Sequence, residues 1–204
     1  MGVDYGVGTM KRLRFKATLA DLAEPHAGGG CLLPDDRYWP VDSKGDPQLH
    51  LMTIPTAWVE EGSEGWLSFF TPYDREDTYL HWETLTSEAG NASVVLLHDN
   101  SGTASSGGHD ALSPARTIQL ELTDEPERCR QFTSRVSQHI AWLKGREQVE
   151  GHACRMMVNG DDFDVGLAGA PGVFSDGVVY VFLSTDFHTQ CRPGTCGLLT
   201  FQFS

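Results

Sequence analysis

The feature that most narrows the fold is a set of short aromatic and β-branched runs, each cut off by glycine, proline or acidic residues. Three of them echo one another: Glu64-Gly-Trp-Leu-Ser-Phe-Phe70, Asp176-Gly-Val-Val-Tyr-Val-Phe182 and Gly197-Leu-Leu-Thr-Phe-Gln-Phe203. Each passes from a glycine into a run that reads as a wholly buried strand. Further runs at 49–54, 79–86, 92–98 and 154–158 are likewise short and bounded by turn formers, and 117–122 reads as a strand with Ile118, Leu120 and Leu122 inward. At 12–19 the alternation is strict, placing Leu13, Phe15, Ala17 and Leu19 on one face and a basic stripe on the other. This spacing predicts antiparallel sheets, and the echo between segments suggests two similar halves.

Residues 124–127 supply a capping-box-like pair with Pro126 in the first turn, after which Phe132, Val136, Ile140 and Leu143 recur at helical spacing until Gly145. One well-defined helix is therefore expected near 125–144. Residues 21–48 are rich in turn formers. Residues 99–114, nearly devoid of core formers, read as a mobile loop or linker. The expected fold class is α+β, mainly antiparallel twisted β-sheets, in a single domain over 1–204. Its sub-halves would be 10–98 and 115–204, joined by the Gly/Ser-rich 99–114 loop.

Charge excludes several functions. The chain has 204 residues, with 15 Lys and Arg against 28 Asp and Glu, a net charge of −13. Nucleic acid and anionic membrane are both disfavoured, because phosphate must meet a basic surface. The acid is concentrated: 12 Asp and Glu fall between 38 and 115, against only Lys44 and Arg75. The first residues carry no basic region before an apolar stretch, and no run of about 18 apolar residues occurs, so a cytoplasmic location is expected. Cys31, Cys129, Cys154, Cys191 and Cys196 are an odd, scattered set that fits reduced thiols.

Candidate chemistry is sparse. His188, Cys191 and Cys196, with His152 or Cys154, have the softness for zinc, but their spacing is not that of a finger or ribbon. The acidic stretch Asn159-Gly-Asp-Asp-Phe-Asp164 lacks the alternation and terminal Glu of a calcium loop and reads as a turn. No nucleophile elbow, phosphate-binding glycine loop or His-Glu-x-x-His occurs. His98-Asp99 and His109-Asp110 are neighbours in sequence, which does not make a dyad. The five tryptophans read as core. No catalytic residue, cofactor or metal is expected.

Residues 28–70 carry a recognisable pattern: Gly28-Gly-Gly-Cys-Leu-Leu-Pro34, Tyr38-Trp-Pro40, Gly45-Asp-Pro47, Leu49-His-Leu-Met-Thr-Ile54 and Gly65-Trp-Leu-Ser-Phe-Phe70. This resembles the YwqG-like family, as do the strands at 176–183 and 197–203, so the likeness spans 28–203 with a divergent middle. Cys31 and the stretch Gly166-Leu-Ala-Gly-Ala-Pro171 depart from the family pattern. The resemblance implies twisted antiparallel sheets and no catalytic residues. Because such domains occur beside secreted polymorphic toxins, it also implies an immunity role.

The expected function is a cytoplasmic immunity protein, not an enzyme, that covers the active region of an antibacterial toxin with an acidic surface. The partner would be a basic nuclease, since a basic enzyme is steered by acid. The candidate contact residues are Glu60, Glu61, Glu64, Asp74, Glu76, Asp77 and Glu83. The alternative is an enzyme or small-molecule binder with a cleft between two β halves, marked by convergence of several of His50, His81, His98 and His188.

Overall fold

The computed structural model describes residues 10–74, 76–77, 82, 84–85, 91–123, 132–167, 172–188 and 196–203. Among them are twelve strands: β1 Met10–Leu19, β2 His26–Ala27, β3 Cys31–Leu33, β4 Leu49–Pro55, β5 Trp66–Thr71, β6 Val94–His98, β7 Thr103–Ser105, β8 Arg116–Thr123, β9 Arg135–Val136, β10 His152–Asn159, β11 Val178–Ser184 and β12 Gly197–Gln202. The expectation of mainly antiparallel β structure holds, and the architecture is more specific than twisted sheets. Ten strands close into one barrel in the order β1-β8-β2-β4-β5-β6-β12-β11-β10-β9, and β3 and β7 form a separate two-stranded sheet. The order closes on itself, with β12 meeting β6 only at Gly197 and Val95.

The stretches 10–98 and 115–204 contribute five barrel strands each, and they interleave. Strand β8 is paired on one side with β1 and on the other with β2. The last gap is closed by only two residues: Arg135 and Val136 pair with Arg12 and Lys11 of β1 and with Met157 and Met156 of β10.

The predicted strands sit close to their expected places, with local departures. Leu13 and Phe15 point inward, but the β1–β8 register shifts between Phe15 and Leu19, and Leu19 is 64% exposed. Along β8, Ile118 is buried while Leu122 is 65% exposed. The expected strand at 79–86 falls largely outside the described residues, and Thr84 and Leu85 lie in a turn.

The helix expected near 125–144 is a correction. Residues 124–131 lie outside the described residues, and 132–144 carry no helix: they are an irregular strap interrupted by β9. Its apolar side chains serve two cores at once. Val136 enters the barrel interior, whereas Phe132, Ile140, Trp142 and Leu143 pack on the outer face of β10–β11 around Met157, Tyr180 and Phe182. Strap backbone groups are held by distant partners, since Leu143 N–H donates to Tyr180 Oη at 2.8 Å and Lys144 N–H to Gln202 Oε1 at 2.9 Å. Tertiary bonds of this kind displace the local ladder that the spacing alone suggests.

A helix, α1, runs over Gly160–Gly166 instead, where the sequence reads as an acidic turn. Asn159 is its N-cap, accepting from Asp162 N–H at 3.2 Å, with Asp161 and Asp162 in the first turn. Carboxylates there complement the free N–H groups and the positive helix end. Phe163 is fully buried and packs edge-on against Phe15 and Phe174, with ring centroids 5.4 and 5.1 Å away.

Residues 99–114 also differ from the mobile loop expected of their composition. They carry β7, which pairs with β3 through Cys31 and Ser105, Leu32 and Ala104, and Leu33 and Thr103. Gly28 and Gly30, at φ 66° and 86°, make this contact possible, because a Cβ on either would lie 2.0 Å from the carbonyl oxygen of Leu112 or Ser105. The glycine run of the sequence is thus the seat on which the 99–114 segment rests.

Candidate functional site

The acidic run does not form one patch. Glu60, Glu61 and Glu64 precede β5, and Asp74, Glu76 and Asp77 follow it. Six extended residues separate the groups by about 20 Å, so they occupy opposite rims of the barrel. At the far rim Asp74 is half-buried, its Oδ1 accepting from the backbone N–H of Glu76 at 2.9 Å and of Asp77 at 3.2 Å, while Glu76 and Asp77 are exposed. Glu83, with Arg75, Glu88 and His81, lies outside the described residues.

At the near rim, Glu60 Oε2 is 3.5 Å from His188 Nδ1, and Glu61 and Glu64 are exposed. Strand β6 ends here, because His98 is opposite Trp66 in the β5–β6 pairing. A cleft of about 290 Å³ opens between these elements, lined among others by Asp36, Arg37, Glu64, His98, Asp99 and His188. Arg37 is engaged by Asp36 at 3.0 Å. The rim therefore gathers Asp36, Glu60, Glu64 and Asp99 round one opening, with Arg37 and the His188 ring among them.

Behind the cleft runs a buried chain of hydrogen bonds that the sequence reading did not assemble. The backbone carbonyl of Asp99 only accepts, so the 3.0 Å contact makes His98 Nδ1 the donor and leaves Nε2 an acceptor. Ser68 Oγ–H then donates to His98 Nε2 at 2.7 Å, Thr53 Oγ1–H to Ser68 Oγ at 2.7 Å, and His50 Nε2–H to Thr53 Oγ1 at 2.8 Å. Each hydroxyl gives one bond and receives one. Ser68 comes from a strand read as wholly buried and His50 and Thr53 from the short run 49–54 beside it, and buried polar residues must find partners. That was the available signal, but it does not say which partner.

The chain lies on the outer face of β4–β5–β6, beneath β3 and beside the apolar cluster of Cys31, Leu33, Phe70 and Leu96. Trp39 seals it, edge-on to Phe70 at 5.1 Å, and its Nε1–H donates to the Gln48 carbonyl at 2.8 Å. His26 stands 5.5 Å from His50, ring to ring, with its own nitrogens 2.6 and 2.8 Å from the carbonyl oxygens of Glu24 and Gly30. Burial drives His50 well below the ordinary histidine pKa. His26 and His98 add repulsion, against a smaller opposing effect of the Met52 and Gly28 backbone. His98 is lowered as well, chiefly by burial, with the Asp99 carbonyl opposing. The Cys31 thiol is pushed up to about 12 by burial, only partly offset by Ser68. A thiol so placed is inert as a nucleophile.

The residues weighed as zinc ligands are not brought together among the described residues. Cys191 lies outside the described residues. Cys196 is buried, with Sγ–H donating to the Val95 carbonyl at 3.3 Å, and Cys154 Sγ–H donates to the Met156 carbonyl at 3.7 Å. Among the described residues no three His, Cys, Asp or Glu groups converge as metal ligands. Among them, too, no helix is long and apolar enough to cross a membrane.

Fold and site together define a closed antiparallel β-barrel with an acidic rim cleft and a buried His–Thr–Ser–His chain behind it. No protein-family model and no curated protein matches this sequence.

Proposed function

We propose that the protein acts by binding, capturing a basic protein partner on the near rim of the barrel. The observation that carries this reading is the gathering of Asp36, Glu60, Glu64 and Asp99 round one cleft, with Glu61 beside them in the same loop. Carboxylates so arranged attract Lys and Arg side chains and speed encounter with a basic surface. In this reading, which takes up the resemblance of residues 28–203 to the YwqG-like family, the partner is a secreted antibacterial toxin, most simply a nuclease, and this chain is its cytoplasmic immunity protein. Asp74, Glu76 and Asp77 sit about 20 Å away across the barrel and belong to a second, separate surface.

The test uses the proposed partner, the toxin sought as the product of the neighbouring open reading frame. Association rates are measured across a salt series for wild type, for Glu60→Lys/Glu61→Lys/Glu64→Lys and for Asp74→Lys/Glu76→Lys/Asp77→Lys. The near-rim variant is expected to slow association roughly tenfold at low salt and to abolish protection, with little change for the far-rim variant. Equal rates for all three would reduce both acidic groups to solvated surface.

A second reading, a small-molecule binder or enzyme, is favoured by one observation. His98 and His188 converge on the same cleft, and His98 is joined to His50 through Ser68 and Thr53. Protection lost in His188→Gln with partner binding intact would support that reading over the first.

A further inference from the structure

A second cavity shares no lining residue with the cleft at the acidic rim. It measures about 1230 Å³ and lies between the strap at 138–150 and the outer face of β10–β11. Its wall contains Arg135, Arg146 and Arg155 against Glu147 and Glu150, with His139 and His152 alongside. A local formal charge of 3 − 2 = +1 stands out in a chain of −13. Aromatic surface is supplied by Trp142 and Phe182, 6.1 Å apart. Trp142 is stacked on Tyr180 at 4.4 Å and 21°, so one of its faces is taken and the other remains for the cavity it lines.

Two of the side chains in this wall, Arg155 and Glu147, each have a buried polar atom with no hydrogen-bond partner. Arg155 Nε is an orphaned donor, and Glu147 Oε2 an orphaned acceptor. The other oxygen of Glu147 is fixed by Gln202 Nε2–H at 2.8 Å, and Gln202 is held in turn by Gly145 and Lys144 of the strap. Unpaired buried groups are costly, and the two side chains that carry them, one cationic and one anionic, both line the cavity.

The geometry points to this cavity as a binding site for a small ligand in which a planar ring is joined to an anionic group, phosphate or carboxylate. The anion meets Arg155 and Arg146, and the ring lies against Trp142 and Phe182. Arginine suits this role because its planar fork pairs with two anionic oxygens at once, and ring stacking adds to it. The cavity shares no residue with the near rim, so the site stands or falls independently of the proposed partner surface.

Calorimetric titration of the intact protein with adenosine monophosphate, indole-3-acetate, adenosine and inorganic phosphate tests this. Saturable binding is expected for adenosine monophosphate or indole-3-acetate, and which of them binds tells phosphate from carboxylate. Adenosine and inorganic phosphate, each with half of the recognition, should bind roughly tenfold more weakly or worse. Arg155→Gln and Trp142→Leu should each weaken binding about tenfold. Arg146→Gln, at an exposed position where folding is not at stake, should do so with an unchanged melting temperature. Absence of saturation by either ring-bearing anion up to about 10 mM, a Kd weaker than ordinary specific binding, overturns the assignment. Equal affinity of wild type and all three variants, or inorganic phosphate binding as tightly as adenosine monophosphate, overturns it too.

Discussion

His50 and Thr53 lie three residues apart on β4, yet His50 Nε2–H donates to Thr53 Oγ1 at 2.8 Å because the strand register shifts between His50 and Met52. In a regular strand residues three apart face opposite sides. The irregularity adds a residue, so Leu51, Met52 and Ile54 all serve the barrel core while His50 and Thr53 share the outer face. A one-residue slip is what allows a hydrogen-bonded chain to cross β4 and β5.

Thr53 is the middle link of that chain, so Thr53→Val, which keeps the shape, should strand His50 Nε2–H at one side and leave Ser68 Oγ without its donor at the other. The expected loss is about 1–3 kcal/mol, with Thr53→Ser close to wild type. Urea unfolding midpoints at constant m-value report it. A Thr53→Val protein as stable as wild type would mean the chain contributes nothing to the fold.

The depressed pKa values of His50 and His98 set a direction for acid sensitivity. Both imidazoles bind protons more readily in the unfolded chain, where the ordinary value is about 6.5. Stability is therefore whole above that pH and falls as pH drops below it, with a slope of up to about 1.4 kcal/mol per pH unit for each site. Around the pair stand His26, Cys31, Arg37 and Asp99, of which only Asp99 favours the charged ring. Unfolding free energies measured from pH 7.5 to 5 should decline. His50→Gln should flatten the decline, and an unaltered slope would show that His50 does not report on folding.

Asp164 works in the opposite sense. Burial, with Asp161 adding repulsion, raises its carboxyl to about 6, and Oδ1 is buried without a partner. The folded chain then holds this proton more tightly than the unfolded one, so its contribution is fully present below about pH 4 and disappears as pH rises through 6. Asp164→Asn should stabilise the protein by about 1 kcal/mol at pH 7.5, allowing for solvent screening at a half-exposed site. At pH 4 it should change little. Thermal melts at the two pH values check the difference, and the same background isolates the histidine slope.

Replacing residues 101–108 by a short Gly-Ser link removes β7 and the contacts of Gly30 with Ser105 and of Gly107 with the Trp39 ring. Uncovering β3 exposes the cluster of Cys31, Leu33, Phe70 and Leu96 together with the polar chain beneath it. Melting temperature should fall by several degrees, of the order that about 2 kcal/mol produces in a domain of this size. A deletion that melts like wild type would return the segment to the status of a loose connector.

Strand character was legible because it is local. Alternation at 12–19, the apolar runs at 49–54 and 117–122 and the turn residues between them carry their own period and punctuation, and β1, β4 and β8 fall close to those places. The helix was misplaced because the spacing of Phe132, Val136, Ile140 and Leu143 mimics one helical face. Only packing reveals that Val136 enters one core while the other three cover another. The true helix was hidden in the opposite way, with its Asn159 cap and its two acids in plain view but too short an apolar face behind them.

The sequence by itself determined that this chain is an acidic, turn-punctuated β protein, since charge, side-chain period and glycine or proline placement act within a few residues. Tertiary structure alone decided that β8 inserts between β1 and β2, that two residues close the barrel, and that the acids flanking β5 part to opposite rims. It also decided that His50, Thr53, Ser68 and His98, drawn from three strands, meet in one chain. Such pairings depend on register between segments far apart in sequence, and register is settled by closing the whole sheet over one core rather than by any strand's own residues.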